Sequence, residues 1–271
     1  TRVSGITSQY VSSLLLCAPL APHDTTILVE NLHEKPYVEL TLWWLRKMGV
    51  EFSVSENMTR FEVKGRSGYR AINERIPGDF SSATFGAVAA AATGSELTLT
   101  NLDFTDPQGD KRVFEMLEKM GMQVSRAGKE VTLRSGGCLR GGTFDLNDMP
   151  DSIAALAVLG CRAEGETRLI NVAQARIKET DRITVMAGEL TKMGADIHEI
   201  PDGLVIRKSR LTGTRVDSHD DHRVAMALAL AGMVAEGETI IEKAECAEVT
   251  YATFLEDFVS IGANMECRQE R

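Results

Sequence analysis

The chain is poor in several things, and each shortage narrows what it can be. Its five cysteines (Cys17, Cys138, Cys161, Cys246 and Cys267) are odd in number, scattered and never spaced C-x-x-C. That excludes a disulfide framework and a structural zinc site, and fits a reducing, cytoplasmic compartment. Long hydrophobic runs are missing. The longest, Val224 to Ala235, is too short to cross a bilayer. No signal peptide or low-complexity stretch is visible, and the chain begins with Thr1 rather than Met. Positive charge is in the minority, 30 Lys and Arg against 39 Asp and Glu, for a net charge of −9. An acidic chain is a poor partner for duplex nucleic acid or an anionic membrane. If the ligand is an anion, the cations that hold it must be concentrated locally.

What is present is an ordinary globular composition, 43% hydrophobic and 25% charged over 271 residues, arranged as a repeat. Met48-Gly49, Met120-Gly121, Met193-Gly194 and Ile261-Gly262 each close a helix-period run, with glycines 72, 73 and 68 residues apart. A second marker recurs at His23 and at Gly94-Ser95-Glu96, Gly165-Glu166-Thr167 and Gly237-Glu238-Thr239, with spacings of 71, 71 and 72. Two independent markers at one period define four units. Each reads as an Ala- and Leu-rich helix, a strand, a second helix ending on a left-handed glycine, and a short hairpin. The first helices are expected at 8–16, 81–92, 151–161 and 221–235, and the second at 36–48, 110–120, 179–193 and 250–261. Hairpin turns fall at Ser55-Glu56-Asn57, Ala127-Gly128-Lys129 and Pro201-Asp202-Gly203. Unit boundaries are expected near Ile76-Pro77-Gly78, Asn147-Asp148 and Ser218-His219. The fourth unit lacks its hairpin.

The chemistry-bearing residues gather at helix starts. Arg176-Ile177-Lys178-Glu179-Thr180-Asp181-Arg182 precedes a run in which Ile183, Met186, Leu190 and Met193 share one helical face. Lys178 and Arg182, four residues apart, are expected on one side of that helix, with Glu179 held ionised between them. Taken alone, the stretch is explained by a capped helix start with a local ion network. His222 and Arg223 are harder to explain that way, because a cation in a first turn opposes the helix dipole. A negative ligand there would account for them. If several helix N-termini converge, that ligand carries more than one charge.

Lys178-Glu179-x-Asp181-Arg182, Asp221-His222-Arg223, Gly78-Asp79-Phe80-Ser81-Ser82-Ala83, and Ser8-Gln9-Tyr10 with Ala18-Pro19-Leu20 resemble, from end to end and in order, the 5-enolpyruvylshikimate-3-phosphate synthase family. The K-E-x-D-R and D-H-R pair, about 40 residues apart, is the specific signature. The resemblance implies an α+β fold of six βαβαββ units, three to a pseudo-threefold domain, with the site in the cleft between two domains. Four of the six units are visible here, so the chain resembles the C-terminal portion. Residues 1–77 would be the last unit of the shikimate-phosphate-binding domain, and 78–271 the second domain. The implied reaction moves the enolpyruvyl group of phosphoenolpyruvate onto a hydroxyl of shikimate 3-phosphate and releases phosphate. It needs no metal or organic cofactor. The implied catalytic residues are Asp151 on the acceptor hydroxyls, Glu179 as the donor-side proton carrier, and Lys178 between the reacting oxygens. Implied substrate contacts are Thr7 and Ser8 to the acceptor phosphate, Gln9 to both ligands, Tyr37 and Gln174 on the acceptor side, Arg182 and Arg223 to the donor's carboxylate and phosphate, and His222 in support of Glu179. The enzyme would be a monomer when complete. This chain alone would bind weakly and turn over little, and could associate with the missing N-terminal segment.

Read from the residues alone, Thr7, Ser8 and Tyr37 fit capping and packing better than function, Asp79, Ser81 and Ser82 are assigned to capping and inter-domain hinging rather than chemistry, and the cysteines and methionines read as core. Two positions depart from the family pattern. Glu34 stands where many members have a small hydroxyl residue near the acceptor phosphate, and a carboxylate there would repel that phosphate unless it points away. Val249 stands where some members carry a lysine. Two alternatives remain. One is a fold-only binding module. The other is the sister transferase that acts on UDP-N-acetylglucosamine, which would lack the paired motifs and use an activated cysteine.

Overall fold

The computed structural model describes residues 1–268. The first unit is β1 (Arg2–Ser4), α1 (Ser8–Cys17), β2 (Thr25–Glu30), α2 (Lys35–Lys47), β3 (Phe52–Val54) and β4 (Arg60–Val63). The second is α3 (Phe80–Thr93), β5 (Leu97–Leu99), α4 (Val113–Met120), β6 (Gln123–Ala127) and β7 (Glu130–Arg134). The third is β8 (Thr143–Asp145), α5 (Ile153–Gly160), β9 (Glu166–Ile170), α6 (Arg182–Lys192), β10 (Asp196–Ile200) and β11 (Gly203–Arg207). The fourth is β12 (Arg215–Asp217), α7 (His222–Val234), β13 (Ile240–Glu242) and α8 (Phe254–Ser260).

The repeat is visible in the pairing. In the first sheet, ordered β1-β2-β4-β3, β1 runs parallel to β2 and the other pairs are antiparallel. The third unit repeats this as β8-β9-β11-β10. The second has the last three strands, as β5-β7-β6, and the fourth has the first two, as a parallel β12-β13 pair. The glycines that close the second helices, Gly49, Gly121, Gly194 and Gly262, all have positive φ, between 74° and 107°. The sequence assigns them that role, because an L side chain strains in that region.

Three expectations shift. The unit boundaries near Asn147 and Ser218 fall earlier, because β8 and β12 lie ahead of them and pair in parallel with β9 and β13. Three-residue strands carry too little alternation to be read from sequence. The helices expected from 110 and 151 begin instead with 3-10 turns, at Gly109–Arg112 and Pro150–Ser152. The cysteines are not all core, since Cys17, Cys138 and Cys267 are exposed.

Burial places the functional end. Helices α3, α5 and α7 are apolar nearly all round, and all eight residues of α5 are buried. Such helices must be enclosed. They pack on one another, which brings their N-terminal residues together. The buried apolar side chains form two separate clusters. One runs from Val11 to Val63 and centres on Leu15, Ile27, Leu45 and Phe61. The other, which includes Phe85, Leu156 and Leu228, runs from Phe80 to Phe258.

Candidate active site

Asp181 starts α6. Its carboxylate accepts from the Thr184 N–H at 3.0 Å and from Arg176 Nη1 at 2.9 Å. Arg176 is tied down in turn by Glu199 and by the carbonyls of Ile200 and Pro201. The helix therefore begins at Arg182, three residues later than the spacing predicts. Lys178 and Glu179 lie before it, and the backbone at Lys178 is extended. This corrects the expectation that Lys178 and Arg182 share a helical side. The two point to different partners.

Arg182, 1% exposed, is the hub of the site. Its Nε donates to Asp221 Oδ2 at 2.7 Å, its Nη1 to Asp151 Oδ1 at 2.7 Å, and its Nη2 to Glu179 Oε2 at 2.6 Å. One forked cation thus holds three carboxylates from three helix starts, geometry that suits a guanidinium and not an ammonium. Asp221 also caps α7, accepting from the N–H of Arg223 at 2.8 Å. Sequence reading used Asp221 only as a motif letter, whereas it is fully buried and anchors Arg182.

Asp151 sits where fields oppose. Burial pushes its carboxyl up, but Arg182, Arg223 and Lys178 together outweigh that and bring it down to about 2. His222 lies 4.0 Å from Glu179 through Nδ1. Burial, and then the neighbouring Arg223 and Arg182, hold its imidazole below the usual histidine range, so the neutral ring dominates at neutral pH.

Arg223, 5% exposed, is the least satisfied group. Its Nη2 donates to Ser81 Oγ at 2.8 Å and lies 3.9 Å from Asp151 Oδ2. Its Nε and Nη1 are buried and have no hydrogen-bond partner among the described residues. Ser81 is itself fixed by Asp79, the α3 cap, whose carboxylate accepts from the N–H and hydroxyl groups of both Ser81 and Ser82.

The residues expected on the acceptor side meet across the two apolar clusters. Thr7 caps α1, and its hydroxyl and that of Ser8 donate to the buried carboxylate of Glu34. Lys178 Nζ reaches the same carboxylate at 2.6 Å. Glu34 therefore points into this group rather than away from it. The Tyr37 hydroxyl makes a short hydrogen bond to Asp110, which also accepts from Ser152 Oγ at 3.1 Å. Burial, reinforced by the nearby charge of Asp151, pushes the Asp110 carboxyl up to about 7, and burial raises Tyr37 as well. Asp110 was missed by sequence reading. Its only signal was a Gly-Asp pair ahead of a helix, with Gly109 needed because a Cβ there would meet the Asp148 carbonyl oxygen at 2.0 Å. Gln174 is buried and donates to the Asn147 carbonyl at 3.2 Å. Gln9 is exposed beside this group, and Val249 is exposed in the turn before α8.

Repeated βαβαββ units bring their helix starts around one guanidinium hub, beside a second guanidinium with two nitrogens unpartnered among the described residues, an arrangement with the donors an anion requires. Comparison with known proteins specifies the class. The family model for EPSP synthase (3-phosphoshikimate 1-carboxyvinyltransferase) matches residues 3–258. A 3-phosphoshikimate 1-carboxyvinyltransferase of Acetivibrio thermocellus is 53% identical over 266 residues, covering 98% of this chain and 62% of that protein. One from Methanocella arvoryzae is 46% identical, over 97% of this chain and 62% of its own length. Among solved structures, EPSP synthase from Acinetobacter baumannii superposes with a TM-score of 0.81 at 27% identity, covering 99% of this chain and 64% of that one. The chain belongs to the EPSP synthase family, and it spans a little over three fifths of the length of the relatives it matches.

Proposed function

We propose that this chain forms the C-terminal portion of an enzyme that transfers the enolpyruvyl group of phosphoenolpyruvate to shikimate 3-phosphate, acting in the cytoplasm as a monomer when complete. Residues 1–77 would belong to the acceptor-phosphate-binding domain and 78–271 to the domain that holds the donor. The observation that carries the reading is Arg223. A buried guanidinium with two unpartnered nitrogens, beside an arginine whose three nitrogens each hold a carboxylate, is an unfinished anion site. A planar carboxylate or a phosphate oxygen of the donor completes it.

The reaction needs a proton delivered to the donor's methylene carbon and a proton removed from the acceptor hydroxyl. Glu179 is held by Arg182 and faces neutral His222, a position from which it can carry the first proton. Asp151 is ionised at working pH and accepts the hydrogen bond of the acceptor hydroxyl. With its carboxyl at about 2 it is a weak base until bound anions offset the field of Arg182 and Arg223. Lys178 lies between the reacting oxygens once it exchanges Glu34 for substrate.

Glu179→Gln tests the assignment. Turnover should fall by about a hundredfold or more, as expected for loss of a proton carrier, while stabilisation by ligands measured as a shift in Tm persists. Turnover within a few fold of wild type would remove Glu179 from the chemistry.

A further inference from the structure

Glu34 stands at the entrance of α2 with φ 53°, a left-handed backbone that residues bearing a Cβ adopt uncommonly. Its side chain turns away from solvent, 1% exposed, onto the N-terminus of α1. One carboxylate oxygen accepts from the Ser8 N–H at 3.0 Å, the Ser8 hydroxyl at 2.8 Å and the Thr7 hydroxyl at 3.4 Å. The other accepts from Lys178 Nζ at 2.6 Å, with Lys178 itself 10% exposed. A helix-start N–H, two hydroxyls and an ammonium make a receptor for a tetrahedral oxyanion. In this chain the receptor is filled by the chain's own carboxylate. A phosphate needs the same donors and would meet a like charge held at their centre.

We propose that Glu34 is a specificity-determining residue, an internal anion that competes with the acceptor's phosphate for Thr7 and Ser8 and holds Lys178 in an ion pair meanwhile. The protein then discriminates only weakly between a phosphorylated acceptor and the same acceptor lacking its phosphate. For the acceptor's identity the inference rests on the enolpyruvyl-transfer reading. The competition itself rests on the four contacts. Because Lys178 pairs with the other oxygen of Glu34, displacing Glu34 also releases that ammonium toward Asp151, and acceptor seating and assembly of the reacting site become one event.

The test is calorimetric titration of the 271-residue chain, which carries these acceptor-side groups, with shikimate 3-phosphate, shikimate and inorganic phosphate in separate runs. Three proteins are compared: wild type, Glu34→Ser, which vacates the cradle, and Glu34→Gln, which keeps the shape and removes the charge. Wild type should favour shikimate 3-phosphate over shikimate by no more than about fivefold. Glu34→Ser should bind shikimate 3-phosphate and inorganic phosphate roughly tenfold or more tighter than wild type, the worth of one recovered charge-assisted hydrogen bond, with shikimate within about twofold. Glu34→Gln should fall between, and decides the matter if the serine variant does not fold. A wild-type preference for the phosphorylated acceptor of about a hundredfold, unchanged in both variants, overturns the proposal. So does a drop in Tm without any gain in phosphate affinity, which would make Glu34 a strut between the two apolar clusters. If the variants gain inorganic phosphate but no shikimate compound binds any of the three proteins, the acceptor reading fails and the competition stands. If inorganic phosphate gains nothing in either variant, the competition fails whatever the acceptors do.

Discussion

Arg182 ties three helix starts together. Its three donors neutralise carboxylates from the starts of α5, α6 and α7, one of them, Asp221, fully buried. Removing one partner of a buried charge pair leaves the other uncompensated, which costs about 3–5 kcal/mol. Arg182→Met should therefore lower the unfolding free energy by roughly that amount in urea titration. A loss under about 1 kcal/mol would mean that the carboxylates find water instead. Asp110 and Asp151 give the pH dependence, with opposite signs. Asp151 is depressed from 3.8 to about 2, so its contribution is present above pH 4 and is lost as pH falls toward 2. Asp110 is raised from 3.8 to about 7, so folding retains its proton. That contribution is complete below pH 4 and is lost as pH rises through 7. Asp110→Asn copies the protonated form. It should leave stability at pH 4 nearly unchanged and raise it at pH 8 by roughly 2–4 kcal/mol, as about three pKa units imply. An unchanged pH profile would show that Asp110 is already ionised in the fold.

At the level of elements, α6 begins where Asp181 caps it and not where the charged run begins. Asp181→Ala should cost about 1 kcal/mol, typical of a lost N-cap, read as a lower urea midpoint at unchanged slope. No change would mean that the Arg176 network alone sets the start. The second helices and their glycine ends were legible because 3.6-residue periodicity and a left-handed stop are local signals. The hairpins at Asn57, Gly128 and Asp202 were legible from turn chemistry. The strands β1, β8 and β12 were not. Each is three residues long and exists only through parallel pairing with a strand more than 20 residues away. The dipole conflict at Arg223 was legible from its place in a first turn. Which of its nitrogens the fold leaves without a partner depended on the packed helices.

For the molecule as a whole, the links between the two apolar clusters are polar: Glu34 with Lys178, Tyr37 with Asp110, and His33 with Asn147. They join residues up to 144 positions apart, a separation at which sequence pattern carries no information about contact. The family resemblance supplied the roles proposed for Glu179, Asp151 and Arg223. It also marked Glu34 as a departure, but not the direction in which its side chain turns. All four are charged groups brought to one region by helices that are individually featureless. On the function proposed, this place is one wall of an enolpyruvyl-transfer site. The most direct measurement is release of inorganic phosphate from phosphoenolpyruvate by the enzyme assembled from this chain and the segment that its relatives carry beyond it. Phosphate should appear when shikimate 3-phosphate is added and not in the absence of an acceptor, with one enolpyruvyl ether formed per phosphate. No release, or release that does not depend on the acceptor, would contradict the account.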